Sequence, residues 1–488
     1  MDVSRREAVK AMGAAWLGAR LAPQVGIRAA DGPPGEAGEI LVRGGRVVSA
    51  EGAYEADVRI LGERIAEVGA ALAPGPDARV IDAAGQLVIP GCFDPHTHVL
   101  PPFADDLTTG TRAAVAGGIT TVGTFATPRG GEGILDTLDR LESDISGMAV
   151  ADVVLHASVW PPTGELADAM PALAERGQPS LKVYMVRQDF AEYVPDLIRV
   201  LEAAREAGVV TMMHCEDQRL IDAATRRLAR EGKTSLRYYG ESRPVLSEVA
   251  ATEMAVALCE STGAPVQIVH LSSARALEAC IRGRERGLPL YVEVRPMYLH
   301  LTQERMQGPE GPLFIGQPPL RTREDADALW QGLAHGDIDL LATDHAPWTR
   351  AQKLDPELSI TRFRPGVSSL RFVIPIYFSE GVASGRISVE RFVETTSTRA
   401  ARIMGLYPRK GVIQEGADAD VVVLDPELTD TVRASDDPSG SDYVIYEGWS
   451  VTGWPVVTIR RGEVVYENGV VTASPGTGRL VARTPWGG

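Results

Sequence analysis

The sequence predicts an α/β chain in which a parallel barrel of repeating βα units carries a small β-sandwich domain built from both chain ends. Three observations predict it. Short β runs punctuated by Gly and Pro fill residues 39–90 and return after residue 407. Between them, over 91–406, strand-like runs alternate with helical stretches, the pattern of βα units around a parallel sheet. Several candidate strands of that middle region end in His, Glu or Asp, and a parallel barrel gathers its chemistry at the carboxyl ends of its strands.

Residues 1–38 read as an address. Ser4-Arg5-Arg6-Glu7-Ala8-Val9-Lys10, the apolar run Ala11 to Ala19 and the Ala29-Ala30 pair resemble a twin-arginine export signal. Export to a periplasmic or extracellular location is therefore expected. Ala8, where an aromatic residue is commoner, and Arg20, which interrupts the apolar run, keep open a disordered extension on a cytoplasmic protein. No other segment approaches the ~20 apolar residues of a spanning helix, so no stable membrane anchor is expected. From Glu39 the runs Ile40–Val42, Arg46–Val48, Ala56–Ile60, Arg64–Val68 and Val80–Ile81 read as half-buried strands. Asp420–Leu424, Pro455–Ile459 and Glu463–Tyr466 complete the sandwich, giving it the spans 39–90 and 407–473. The Gly-, Pro- and Arg-rich residues 474–488 read as a tail that is mobile or packed on a neighbouring subunit.

A chain of 488 residues supports one large and one small domain, and its net charge of −16 excludes a nucleic-acid partner, which would require a basic face. A small-molecule substrate fits better. The four cysteines, Cys92, Cys215, Cys259 and Cys280, are widely spaced and read as buried thiols.

The chemistry concentrates at strand ends. In Val88-Ile89-Pro90-Gly91-Cys92-Phe93-Asp94-Pro95-His96-Thr97-His98, period-two geometry points both imidazoles the same way, and two neutral imidazoles can hold a divalent metal, usually zinc. Ser180–Tyr184 carries Lys182 among apolar neighbours, Val209–His214 and Val266–His270 each end in a histidine, Leu290–Glu293 ends in a glutamate, and Ile338–His345 ends in Asp344-His345. Singly, each has an ordinary reading as a surface histidine, a helix-capping aspartate or a solvated lysine. Together, four histidines, a lysine and an aspartate at the strand ends of one barrel would make a two-metal site.

At this point the residues resemble the amidohydrolase superfamily and, within it, the dihydropyrimidinase and hydantoinase family of cyclic amidases. Pro90 to His98 is similar to its first metal motif, Asp105 to Thr121 to the segment that follows, and Ser180-Leu181-Lys182-Val183-Tyr184-Met185 to the stretch bearing its bridging lysine. Gly448, Val451-Thr452-Gly453-Trp454-Pro455 and Arg461-Gly462 resemble the carboxyl-terminal region of dihydropyrimidinases. The resemblance spans about Glu39 to Val471. It implies a (β/α)8 TIM-type barrel, a homodimer or homotetramer, and two divalent metal ions, zinc by preference. His96 and His98 would bind one ion and His214 and His270 the other. Lys182, carboxylated by carbon dioxide, would bridge them, and Asp344 would complete the coordination of the ion held by His96 and His98. The implied reaction opens the ring of a cyclic amide or ureide by attack of a metal-bridging hydroxide, with Asp344 as proton shuttle. Allantoinase, dihydroorotase, cyclic imidase or acyclic deacylase activity, and a non-catalytic scaffold, are the alternatives.

Two departures from the family pattern fall on substrate-reading loops. Arg187 stands where the family carries an oxyanion-supporting tyrosine, so it is a candidate catalytic and substrate-binding residue. Gln317 stands where the family often has a serine, and Arg362-Phe363-Arg364 replaces a later Asn-Gly loop. Gln317, Arg362 and Arg364 are therefore candidate substrate contacts, with ordinary solvated charge as the other reading of the arginines.

Overall fold

The computed structural model describes residues 38–487, so the expected export signal or extension lies outside the described residues. Eight strands form the barrel: β6 (Cys92–Asp94), β7 (Ile119–Ala126), β8 (Asp152–Ala157), β9 (Ser180–Tyr184), β10 (Val210–His214), β11 (Val266–Ile268), β12 (Leu290–Val294) and β13 (Leu340–Leu341). Each pairs with the next in parallel. A parallel bridge between Thr97 and His345, with the His98 amide donating to the His345 carbonyl at 2.6 Å, joins the first strand to the last. β7, β8 and β10 are buried along their whole length, as strands covered on both faces must be. The surrounding helices start where the sequence offers caps. Asp106 accepts from the amides of Thr108 and Thr109 ahead of the helix Leu107–Ala116, and Thr322 with Asp325 forms a capping box ahead of Arg323–His335.

The chain ends supply the second sheet: β1 (Glu39–Val48), β2 (Ala53–Leu61), β3 (Arg64–Gly69), β4 (Arg79–Asp82) and β5 (Leu87–Pro90) from one end, and β14 (Val421–Thr431), β15 (Ser450–Arg460), β16 (Glu463–Glu467) and β17 (Val470–Val471) from the other. Its order is β17-β16-β15-β14-β5-β1-β2-β3, with β4 alongside β1. The two runs expected at 40–42 and 46–48 are one strand, whose register shifts between Val42 and Gly45, with Gly44 at a φ of 71°. Alternation assigns the faces. Val88, Val421 and Val423 join Val58 and Ile459 in the sheet's own core, while Leu87, Ile89, Val422 and Leu424 pack on the barrel core. The bridge from Arg64 to Asp418 brings β3 back to the segment before β14, so the sheet curls around its interior.

Of the expected tail 474–488, the described residues pack on the chain's own barrel. Val481 N donates to Val153 O (2.8 Å), Arg483 N to Gly177 O (2.9 Å), Thr484 N to Gly405 O (2.9 Å) and Trp486 N to Gly208 O (2.7 Å). Gly177 and Gly208 lie three and two residues before β9 and β10, so the tail floors the barrel at the end opposite the strand carboxyl termini. Arg483 is buried there, donating through Nη2 to Leu155 O (2.8 Å) and Ser180 Oγ (2.7 Å), and burial pulls its guanidinium down to about 9. Ser180 Oγ also meets His156 Nδ1 at 2.7 Å, and His156 Nε2 donates to Pro95 O at 2.8 Å, one residue before His96. Arg483→Met leaves these acceptors short of a buried donor, an expected loss of about 1–3 kcal/mol. Thermal unfolding of the purified variant checks it.

Candidate metal centre

Five strands deliver six side chains to the carboxyl-terminal mouth of the barrel: His96 and His98 follow β6, Lys182 lies in β9, His214 ends β10, His270 follows β11 and Asp344 follows β13. His96 Nε2 and His98 Nε2 lie 3.3 and 3.0 Å from the same oxygen, Asp344 Oδ1, and these three residues offer ligand atoms all within 4.8 Å of one another. Lys182 Nζ is 3.3 Å from His96 Nε2. The rings of His214 and His270 stand edge to face with centroids 4.5 Å apart, and His270 is 5.5 Å from His96. His270 and Asp344 both take positive φ, 41° and 46°, just past their strands. Non-glycine residues rarely adopt that conformation, and here it turns both side chains into the cluster.

A shell of buried carboxylates fixes the imidazoles. Glu293, the carboxyl-end residue noted in β12, accepts from His96 Nδ1 at 2.7 Å, from the His270 amide at 3.0 Å and from Gln267 at 2.7 Å. With Glu293 ionised, His96 Nδ1 carries the proton and Nε2 turns its lone pair to the cluster, the arrangement by which outer carboxylates orient metal-binding histidines. Glu216 accepts from His214 Nε2 at 2.9 Å and from Arg243 at 2.8 and 3.0 Å. Asp94 accepts from the His96 amide at 3.1 Å and the Thr343 amide at 3.2 Å, tying the ends of β6 and β13 together.

Burial sets the protonation states. It holds His96 and His270 well below the ordinary histidine value, hence neutral, and pulls Lys182 down to about 8. It also pushes Glu293 up to about 8 and Asp94 to about 7. For Asp344 burial works against the carboxylate and is outweighed by Arg295, His96 and His98, which hold it well below the usual carboxylate range. His270 Nδ1 is buried with no hydrogen-bond partner. Neutral imidazoles, one of them with an unsatisfied nitrogen, gathered around a carboxylate make a nitrogen-rich donor set that fits divalent ions of the zinc type.

The other candidates fall outside this cluster. Arg187 is exposed and turned onto its own loop, with Nε 3.2 Å from Asp189 Oδ1 and its guanidinium 4.8 Å above Trp160. It thus pairs with Asp189 two residues on and stacks on Trp160, and makes no contact with the six-residue cluster. Arg362 is exposed and pairs with Glu357 at 2.7 Å. Arg364 is half-buried 5.1 Å above the Trp348 ring, and Trp348 leads through Phe103 to His98 in two further steps of 5.1 Å. Gln317 is half-buried beside Gly316. Buried Lys353 donates to Ile315 O, Arg364 O and Gly366 O at 2.8–2.9 Å, which clamps the loops of Gln317 and Arg364 to each other. Arg295, invisible to sequence reasoning, lies wholly buried with Nη1 2.9 Å from Asp344 Oδ2. The available signal was its spacing, because Arg295 follows Glu293 by two and period-two geometry keeps both on the inner side.

Residues 87–465 match the model of the amidohydrolase family. The chain is 36% identical over 457 residues to a D-hydantoinase of Geobacillus stearothermophilus, covering 92% of this chain and 97% of that one. A crystal structure of dihydropyrimidinase from Brevibacillus agri superimposes with a TM-score of 0.88 at 33% identity, covering 92% of this chain and all of the other. An L-hydantoinase (dihydropyrimidinase) from Arthrobacter aurescens gives 0.84 at 28% identity, covering 91% and 99%. With its family model spanning most of the chain and its relatives matched nearly end to end, the protein belongs to the amidohydrolase family.

Proposed function

We propose that this protein hydrolyses a cyclic amide or ureide of the hydantoin or dihydropyrimidine class. The observation that carries the reading is the convergence of His96, His98, Lys182, His214, His270 and Asp344 at one barrel mouth, in a chain similar to hydantoinases over nearly its whole length. His96, His98 and Asp344 would hold one divalent ion and His214 with His270 a second. Such a pair, when bound, supplies an activated water and polarises the ring carbonyl.

The chain's own groups do the rest. Lys182 Nζ lies above the Phe125 and Tyr184 rings at 5.1 and 5.2 Å, with no carboxylate at ion-pair distance among the described residues. Its amine would add to carbon dioxide and lose a proton, and the resulting carbamate would offer two oxygens sharing one negative charge as metal donors. Asp344 Oδ1, set between His96 and His98, accepts the proton of the attacking water. It then delivers that proton to the ring nitrogen, so that the C–N bond breaks with a neutral nitrogen leaving. Glu293 and Glu216 hold the imidazoles still throughout.

The test is a turnover panel of zinc-loaded protein supplied with bicarbonate: dihydrouracil, both enantiomers of 5-substituted hydantoins, allantoin, dihydroorotate and cyclic imides. The expected result is ring opening of hydantoins or dihydrouracil. Protein that binds two zinc ions per chain and opens none of these rings sinks the reading.

A further inference from the structure

Arg295 takes no part in the steps above, yet among the described residues no charged side chain is more deeply buried. It follows β12, and its guanidinium grips the end of β13 at three points. Nε donates to Thr343 O at 3.1 Å, Nη2 to Asp344 O at 3.3 Å, and Nη1 stands 2.9 Å from Asp344 Oδ2. The third contact is an ion pair without the alignment of a hydrogen bond, so the two backbone bonds fix the fork and the charge holds the carboxylate. The Tyr298 ring backs the guanidinium at 5.6 Å. Across from it, a Cβ at position 316 would come within 2.9 Å of Nη1, so Gly316 leaves the space the guanidinium fills.

The two oxygens of Asp344 are thereby divided. Oδ1 faces His96 Nε2 and His98 Nε2, and Oδ2 faces Arg295. The backbone of Asp344 is itself in the left-handed region, where a non-glycine residue stays only if its surroundings hold it. The two backbone carbonyls that Arg295 binds belong to that residue and the one before it.

We propose that Arg295 is a positioning residue for Asp344, holding the strained turn and Oδ2 so that Oδ1 stays directed at the metal and proton-transfer side. A lysine cannot reproduce this, because an ammonium carries the charge without the planar fork. The inference rests on Asp344 acting as ligand and proton carrier in the proposed hydrolysis. One of its readouts, zinc release, is measured without substrate, so failure of the substrate assignment and failure of the Arg295 role are separable.

Arg295→Met and Arg295→Lys are prepared in the full chain and loaded with zinc, and zinc release into a chromophoric chelator, kcat and KM are measured. In Arg295→Met, zinc release is expected to accelerate at least about tenfold, as when an outer-shell partner of a metal ligand is lost. Misplacing a reacting group by about an ångström costs about 100-fold in rate, so kcat falls on that scale while KM moves less than about threefold. Arg295→Lys recovers part of the rate, and free guanidinium added to Arg295→Ala recovers more. Release and kcat within twofold of the parent in both variants overturn the proposal, as does a loss confined to KM, which would put Arg295 on the substrate. Where Arg295→Met fails to fold, the same readings on Arg295→Lys decide.

Discussion

Asp344→Asn is expected to lower kcat by about 1,000-fold or more, since a positioned general base alone contributes about 100- to 10,000-fold and this residue is also a proposed metal ligand. The amide keeps the shape and an acceptor oxygen but cannot take the proton of the attacking water, so the ring nitrogen has no donor when the C–N bond breaks. The substitution also removes the charge facing Arg295, whose guanidinium is wholly buried. Removing one member of a buried ion pair typically costs about 3–5 kcal/mol, so the unfolding temperature is expected to fall together with the rate. Zinc content, Tm and kcat on one preparation settle the matter: a variant with both metals, parental stability and more than a tenth of parental kcat would remove Asp344 from the chemistry.

The second large effect is expected at Lys182. Lys182→Met preserves volume and burial in a strand where the native side chain is 1% exposed, so the fold should survive. What it removes is the nitrogen 3.3 Å from His96 Nε2 that would become the bridging carbamate. Loss of this group should weaken binding of at least one zinc by more than about 100-fold, beyond what outer-shell changes cause, and turnover should fall below detection. Acetate or propionate added to Lys182→Ala should restore part of the activity by placing a free carboxylate in the vacated space. Two zinc ions retained per chain and unchanged turnover in Lys182→Met would show that no lysine carbamate is required.

The metal cluster was legible in the sequence because its geometry follows from strand periodicity. His96 and His98 share a side by spacing alone, and Lys182 and His214 lie in strands whose extents match the expected runs closely. His270 and Asp344 reach the cluster from just beyond their strands, where the sequence pattern reads them as strand ends. β11 stops at Ile268 and β13 at Leu341, and positive φ, which no apolar pattern encodes, brings the last two residues inward. Loop arginines obey no such rule. Arg187 and Arg362 pair with carboxylates two and five residues away, contacts that strand periodicity does not encode. The tail's packing was hidden for a related reason. Its glycines suggested mobility, but Gly478 has no room for a Cβ against Ala151, and on the barrel Gly405 has none against Thr484. Glycine there marks backbone pressed against backbone.

The chain-end sheet carries a consequence for synthesis. Its central strand β5 lies between β1 and β14, and its register with β14 pairs Pro90 with Val421 and Leu87 with Leu424. A ribosome that has made every residue of the candidate metal centre through Asp344 has yet to make that partner. The nascent chain therefore holds β5 as an open edge with an apolar face, the kind of surface on which strands of other chains add. Productive folding must wait for a contact more than 300 residues long in sequence, a separation that slows closure of the native topology. Expression at low rate, or with a holding chaperone, should favour soluble protein for that reason alone.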